Sequence, residues 1–112
     1  MLKKEFRLTT EQVSAVMEKG KVFHSPFFTM RVLVNKEKGG LAAIVSKKIG
    51  KTAVARNYGR KKVYEALMSA NIHKQIKSGI QVAILCKDKT TQATIKELAG
   101  DLLTLFKKAS VL

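Results

Sequence analysis

The stretch 45–67, VSKKIGKTAVARNYGRKKVYEAL, decides how the chain is interpreted. It carries seven basic side chains before its first acid, Glu65. It begins at the end of an apolar run, and its close has the spacing of an amphipathic helix. The positive charge is therefore expected on a strand-to-helix junction inside a folded region. Cations at fixed positions suit a partner with phosphates at fixed spacing, which indicates structured nucleic acid.

The composition favours the same kind of partner. The chain has 112 residues, 46% of them hydrophobic, which suits a single domain over residues 1–112. The formal net charge is +14, and self-repulsion at that charge favours a polyanionic partner. The one cysteine, Cys86, cannot form an internal disulfide, so a reducing compartment is expected. No apolar stretch approaches the roughly 20 residues of a membrane span and no signal peptide is recognised, so we expect a cytoplasmic protein away from membranes.

Hydrophobic periodicity and turn residues predict the order of elements. Thr9 with Gln12, and Thr94 with Glu97, have the spacing of capping boxes at helix starts. The segment KEKGG at 36–40 predicts a hairpin turn between two strands. In chain order, the predicted elements are a helix 10–19, a connector 21–26, strands 27–35 and 41–47, a helix from residue 51 or 52, a connector 71–79, a strand 80–87, a turn 88–91 and a helix 91–109.

This order predicts an α+β fold, a two-layer sandwich with helices packed on one sheet. Residues 80–87 are apolar on both faces, so this strand is expected in the middle of the sheet. On the helix that follows Gly50, Val63 and Leu67 mark the core stripe, and Arg56 falls almost in line with it. We therefore expect the N-terminal half of that helix to project beyond the sheet edge, where a cation stays solvated.

Residue clusters suited to catalysis are scarce. His24 and His73 are far apart in the sequence, and neither has a nearby cysteine or a pair of carboxylates. No spacing typical of metal ligands occurs, and KKIGKTA lacks the first glycine of a phosphate-binding loop. The residues themselves therefore indicate a binding protein.

The binding chemistry lies in the same stretch. Arg56 and Arg60 can each hold a phosphate bidentately, which lysines cannot. Asn57 is either a contact to a 2′-hydroxyl or base edge, or an ordinary amide on a helix surface. Aromatic side chains here either stack on bases or pack against the protein, and the candidates are Phe27, Tyr58 and Tyr64.

These residues resemble the signature of the bacterial ribonuclease P protein component. The match covers the end of a strand and the helix that follows it, in Val45-Ser46-Lys47-Lys48, Ala53-Val54-Ala55-Arg56-Asn57 and Arg60-Lys61. It extends to Arg7-Leu8 and to the order of elements along the chain. The chain departs from the family pattern at positions that usually hold arginine or aromatic residues, namely Tyr58 and Tyr64, and Val13 and Met17.

The resemblance implies a function and a site. The family's protein binds a catalytic RNA and the 5′ leader of precursor tRNA, and its fold contains an uncommon left-handed βαβ crossover. The RNA carries the chemistry and binds the Mg²⁺ that the holoenzyme requires, so no protein-bound cofactor and no further protein partner are expected. With the neighbouring Lys51 and Lys62, the predicted RNA-binding residues are Lys47, Lys48, Lys51, Arg56, Asn57, Arg60, Lys61 and Lys62. The implied leader-binding residues are Phe27, Phe28 and Arg31.

Other classes of protein fit less well. A structural RNA-binding protein, such as a small ribosomal protein, has the same charge and size and remains the alternative. The spacing of SKK and ARN across a strand-to-helix junction favours the ribonuclease P subunit over it. A stand-alone nuclease would need a carboxylate or histidine cluster. An anionic-membrane binder would carry its charge on one face of an amphipathic helix, which this stretch does not.

Overall fold

The computed structural model describes residues 6–34 and 39–111, so Asn35 of the predicted strand and residues 36–38 of the predicted hairpin turn lie outside the described residues. In chain order, the elements are α1 (Thr10–Lys19), β1 (Lys21–His24), β2 (Phe28–Val34), β3 (Gly40–Ile44), α2 (Ala53–Ser69), α3 (Ile72–Gln75), β4 (Ile80–Cys86), a 3₁₀ helix (Asp88–Gln92) and α4 (Ile95–Lys108). The predicted α+β class and the order of the six predicted helices and strands are confirmed.

Within the described residues, the strands form a four-stranded sheet in the order β1-β2-β4-β3. β2 pairs antiparallel with β1 and β4, whereas β3 pairs parallel with β4. β4 is thus a central strand, as predicted, and Ala83 and Ile84 on its two faces are both fully buried. The predicted hairpin between β2 and β3 is wrong, because β4 lies between these two strands. β4 is apolar on both faces, and it buries more apolar surface in the middle of the sheet than at an edge. β2 ends and β3 begins on the two sides of the same end of β4, near Ile80 and Gln81.

The main hydrophobic core lies on one face of the sheet, beneath α2 and α4. Phe28, Met30 and Val32 alternate along β2 and are buried there, beside Val82 and Ile84 of β4. Each large apolar side chain that is fully buried contributes about 1.5–3 kcal/mol. The two helices contribute Val63, Ala66 and Leu67 from α2, and Leu98, Leu102, Leu105 and Phe106 from α4.

The opposite face of the sheet carries α1. This helix packs on β2 and β4, and its Val16 is fully buried. Arg31, which lies on this face of β2, donates a hydrogen bond from Nη1 to the carbonyl oxygen of Met17 (2.9 Å). The capping box of Thr9 and Gln12 is present and the helix has its predicted bounds. Helices therefore cover both faces of the sheet, so the structure has three layers and not the predicted two. The prediction missed this because the sequence does not show on which face of the sheet α1 packs.

Three segments differ in type from their prediction. Residues 21–24 form β1 instead of a connector, because they pair with residues 29–32 of β2. α3 occupies part of the predicted connector 71–79 and follows Asn71, whose φ of 55° lies in the left-handed region. The last helix begins at Ile95, after the predicted capping box of Thr94 and Glu97, and the residues before it form the 3₁₀ helix.

Helix α2 is fixed to the edge strand β3 by close packing and by a hydrogen bond. A Cβ at Gly59 would lie 3.0 Å from Cγ2 of Val45, so glycine lets the helix approach the end of β3 closely. The hydroxyl of Tyr64 accepts a hydrogen bond from the backbone N–H of Ala43 (3.2 Å). Tyr64 is only 6% exposed, so of the two alternatives for this residue the structure favours packing over base stacking.

We expect Tyr64→Phe to lower the free energy of unfolding by about 1–3 kcal/mol, because it leaves a buried backbone N–H without its acceptor. Urea denaturation measures the change. Tyr58→Phe is the matched control, since Tyr58 is 69% exposed, and it should change the free energy by less than about 0.5 kcal/mol. Equal stability of the two variants would contradict a stabilising role for the Tyr64 hydroxyl.

Candidate nucleic-acid interface

The basic stretch is built as a tight turn followed at once by the start of α2. The carbonyl oxygen of Ser46 accepts hydrogen bonds from the N–H groups of Ile49 (3.1 Å) and Gly50 (2.9 Å). Thr52 then caps α2, because its hydroxyl accepts a hydrogen bond from the N–H of Ala55 (3.0 Å). The predicted strand-to-helix junction is therefore present, and backbone hydrogen bonds hold it in one geometry.

The polar side chains of this junction point largely to solvent. Those of the turn are exposed, and those of α2 are exposed or half-buried. The first turn of α2 contains no acidic residue, so the positive end of the helix dipole adds to the potential of the cations. We define the basic surface as Lys47, Lys48, Lys51, Asn57, Arg60, Lys61 and Lys62.

Arg56 is placed differently from the rest of the predicted RNA-binding residues. It is half-buried, and its Nη1 donates a hydrogen bond back to the carbonyl oxygen of Gly50 (2.9 Å). A Cβ at Gly50 would lie 2.7 Å from Cγ of Arg56, so the side chain packs directly against the turn. One donor of this arginine is thus committed to the protein, and the contact holds the turn that presents Lys47 and Lys48.

Asn57 and Arg60 form a pair on the outer part of α2. The guanidinium of Arg60 donates a hydrogen bond to Oδ1 of Asn57, one helical turn earlier. This contact uses the acceptor of the amide and leaves its NH₂ group available as a donor. The pairing restricts the rotamers of Arg60, so less side-chain entropy is lost when the guanidinium meets a phosphate.

We expect Gly50→Ala to lower the free energy of unfolding by about 1 kcal/mol and to weaken RNA binding, because the new methyl group displaces Arg56 or the turn. Chemical denaturation and RNA titration measure the two effects. Gly100→Ala is the control, since nothing lies within 4 Å of a Cβ at Gly100 in α4. That change should raise stability by about 0.5–1 kcal/mol. A Gly50→Ala protein that behaves like the control would show that the turn does not need this close packing.

A second exposed surface lies on the α1 face of the sheet. Val22 and His24 of β1 pair with Arg31 and Thr29 of β2, so all four residues lie on this face. Val22 is 39% exposed, His24 is exposed, and its Nδ1 lies 3.4 Å from Oγ1 of Thr29. We call these four residues the sheet cleft. Val22 and His24 were missed in the sequence because residues 21–26 were predicted as a connector, and four residues are too few for a clear alternation of polar and apolar side chains.

The predicted leader-binding residues do not lie together. Arg31 belongs to the sheet cleft, where its Nε is buried without a hydrogen-bond partner. Phe28 is fully buried in the main core on the other face, so the prediction that its side chain contacts the leader is wrong. Phe27 is half-buried and packs against the same core. Its carbonyl oxygen accepts a hydrogen bond from Oγ1 of Thr90 (2.7 Å), which fixes the start of β2.

The remaining reactive residues have structural roles. Burial raises the pKa of the Cys86 thiol to about 12, so it stays protonated and weakly nucleophilic at neutral pH. His73 packs edge-on against Phe6, with ring centroids 5.2 Å apart. Among the described residues, no group of three or more His, Cys, Asp or Glu side chains could hold a metal ion. The helices in that part of the chain are too short or too polar to cross a membrane.

A fixed, exposed cationic junction on a compact sheet and helices is typical of a small basic RNA-binding protein of α+β fold. The model of the ribonuclease P family matches residues 2–110. The chain therefore belongs to the ribonuclease P protein family. It is a protein subunit of an endoribonuclease that processes tRNA, and it works with ribonuclease P RNA and precursor tRNA. The alternative of a ribosomal protein is not favoured.

Individual relatives agree with this assignment. The chain is 31% identical over 97 residues to the ribonuclease P protein component of Clostridioides difficile (strain 630), covering 86% of this chain and 83% of that one. It is 28% identical over 107 residues to that of Pseudanabaena sp. (strain PCC 6903), covering 91% and 88%. The structure of the Staphylococcus aureus RNase P protein has the same fold, with a TM-score of 0.76, 23% identity, and coverage of 95% and 96%.

Proposed function

We propose that the basic surface binds the catalytic RNA, while the sheet cleft binds the single-stranded 5′ leader of precursor tRNA. The observation that carries the proposal is the turn at 46–50, which presents exposed lysines in a geometry held by backbone hydrogen bonds. Because the backbone of the turn is already ordered, little backbone entropy is lost when its lysines meet a folded RNA, whose phosphates are also held in place.

The affinity of this surface comes chiefly from phosphate neutralisation. Each lysine or arginine that meets a phosphate releases counterions, and binding weakens as salt rises. Within the basic surface, Arg60 is suited to a bidentate contact, while the lysines of the turn act as point charges. Arg56 has a different role, because its hydrogen bond to the carbonyl oxygen of Gly50 holds the turn in place.

The proposal predicts that Arg60→Ala and Lys61→Ala each reduce the salt dependence of RNA affinity. The slope of log affinity against log salt should fall by roughly 0.7–0.9 for each phosphate that the protein no longer neutralises. Fluorescence anisotropy of labelled ribonuclease P RNA, titrated at several salt concentrations, measures the slope.

Lys108→Ala is the control for this series, because Lys108 is an exposed cation at the far end of α4 and lies outside the basic surface. It removes the same charge and should leave the slope as it is. A slope that falls equally in all three variants would mean that net charge, and not the basic surface, sets the affinity.

The leader is assigned to the sheet cleft on chemical grounds. The cleft combines a cation, an imidazole, a hydroxyl and an exposed apolar side chain on one strand pair next to α1. Such a surface suits single-stranded RNA, which offers phosphates together with unstacked bases. Arg31 is held at the floor of the cleft by its bond to α1, so its charge has a fixed position.

We expect Val22→Asp to weaken binding of leader-bearing precursor tRNA about fivefold relative to mature tRNA, because like charges about 4 Å apart repel by about 1 kcal/mol in water. The measurement uses the assembled protein–RNA holoenzyme. Val34→Asp is the matched control: Val34 is 70% exposed, on the same sheet but outside the cleft. Equal losses in the two variants, or equal losses for precursor and mature tRNA, would contradict the assignment of the leader.

The division of labour between protein and RNA is tested by cleavage of precursor tRNA at low Mg²⁺. We propose that the RNA binds the catalytic Mg²⁺ and that the protein raises affinity for substrate and metal by lowering phosphate repulsion. The RNA and the protein together should then cleave precursor tRNA efficiently at a Mg²⁺ concentration at which neither alone does.

We also propose a cytoplasmic location, supported by a buried, unpaired Cys86.

A further inference from the structure

An apolar groove lies beside the basic surface, on the flank of α2 that faces away from Asn57 and Arg60. It encloses about 380 Å³ between the start of α2, the turn at 46–50 and the end of β4. Its apolar walls are formed by Val45, Ile49, Val54, Ala55, Tyr58 and Cys86. The groove is open to solvent, unlike the core beneath it.

The walls of the groove expose apolar surface that the protein itself does not cover. Val54 is 79% exposed and Tyr58 is 69% exposed, and they stand one turn apart on α2. The floor is formed by residues that are nearly inaccessible, since Cys86 is 8% and Thr90 is 2% exposed. An apolar recess of this kind indicates a ligand with an apolar part.

The rim of the same groove is cationic. Lys62 lines it directly, and Lys51 stands between the two lining residues Gly50 and Thr52. Lys48 lines an adjoining recess that shares Ile49 with the groove. A ligand that fits must therefore combine a flat or apolar group with negative charge a few ångströms away, which a purely apolar molecule does not provide.

We propose that the apolar groove receives one unpaired nucleobase of the catalytic RNA, stacked on Tyr58, while Lys48, Lys51 and Lys62 meet the phosphates on either side. A nucleobase has apolar faces and is joined through its ribose to two phosphates, so it matches both the walls and the rim. Stacking on an aromatic side chain tolerates any base. The inference rests on the proposed RNA-binding function and adds an interaction that is independent of phosphate neutralisation.

The test fills the groove without changing charge. Ala55→Leu places a larger side chain in the groove at an exposed helical position that favours leucine almost as well as alanine. Affinity for the catalytic RNA should fall by about five- to hundredfold, as for the loss of one stacked base, and the loss should persist at high salt. Ser69→Leu, at the exposed far end of α2, is the control and should bind as the unmodified protein does.

The outcomes separate the two proposals. If the unmodified protein does not bind the RNA in a salt-dependent way, the proposed function fails, and the groove inference fails with it. If it binds, but Ala55→Leu binds as tightly as Ser69→Leu, only the nucleobase inference is overturned. A loss of affinity in Ala55→Leu that disappears at high salt also overturns it, because the groove would then hold an ionic interaction and no stacked base.

A second measurement distinguishes the base from the phosphate. Amide spectra of the ¹⁵N-labelled protein, titrated with adenosine monophosphate, should show shifts at Val54 and Gly59 that ribose 5-phosphate does not produce. Tyr58→Ala should abolish the difference, and Tyr58→Phe should retain it, because phenylalanine keeps the stacking face. Identical shifts with the two ligands would mean that the site recognises phosphate alone.

Discussion

The parallel pairing of β3 with β4 is the constraint on which the rest of the structure depends. Parallel neighbours cannot be joined by a tight turn, so the chain must return along the sheet, and α2 is the element that does so. The crossover begins where β3 ends, and its first residues extend past the core. That is why the junction at 46–52 is fixed by the fold and yet open to a ligand.

The two halves of α2 have different roles: one is buried in the core and the other carries exposed cations. The C-terminal half carries Val63, Leu67 and their neighbours into the core, and Tyr64 ties it to the edge strand. The N-terminal half has no acid in its first turn and carries the cations. Burial of the C-terminal half of α2 thus holds its N-terminal half in place. The basic surface therefore keeps its position despite the self-repulsion of a chain with a net charge of +14.

Local signals carried most of what could be predicted. Both capping boxes, the bounds of α1 and the central position of β4 depend on neighbours in the sequence or on the pattern of one strand, and all were correct. The hairpin failed because strand partners are chosen by burial across the whole sheet. Adjacent Phe27 and Phe28 could not be sorted, since a shift of one residue exchanges the two faces. Arg56 and Tyr64 likewise required contacts with Gly50 and Ala43 that spacing on a helix does not show.

The bond between Tyr64 and Ala43 also affects how copies of the chain behave towards one another. An open strand edge invites a neighbouring molecule to add its own strand, which leads to aggregation. Here Tyr64 occupies an N–H on the outer side of β3, and the opposite edge is the short strand β1, which begins with the exposed Lys21. On the β3 side, the N–H of Leu8 also donates a hydrogen bond to the carbonyl oxygen of Leu41 (2.9 Å), so a second copy of the chain would find part of this edge already paired.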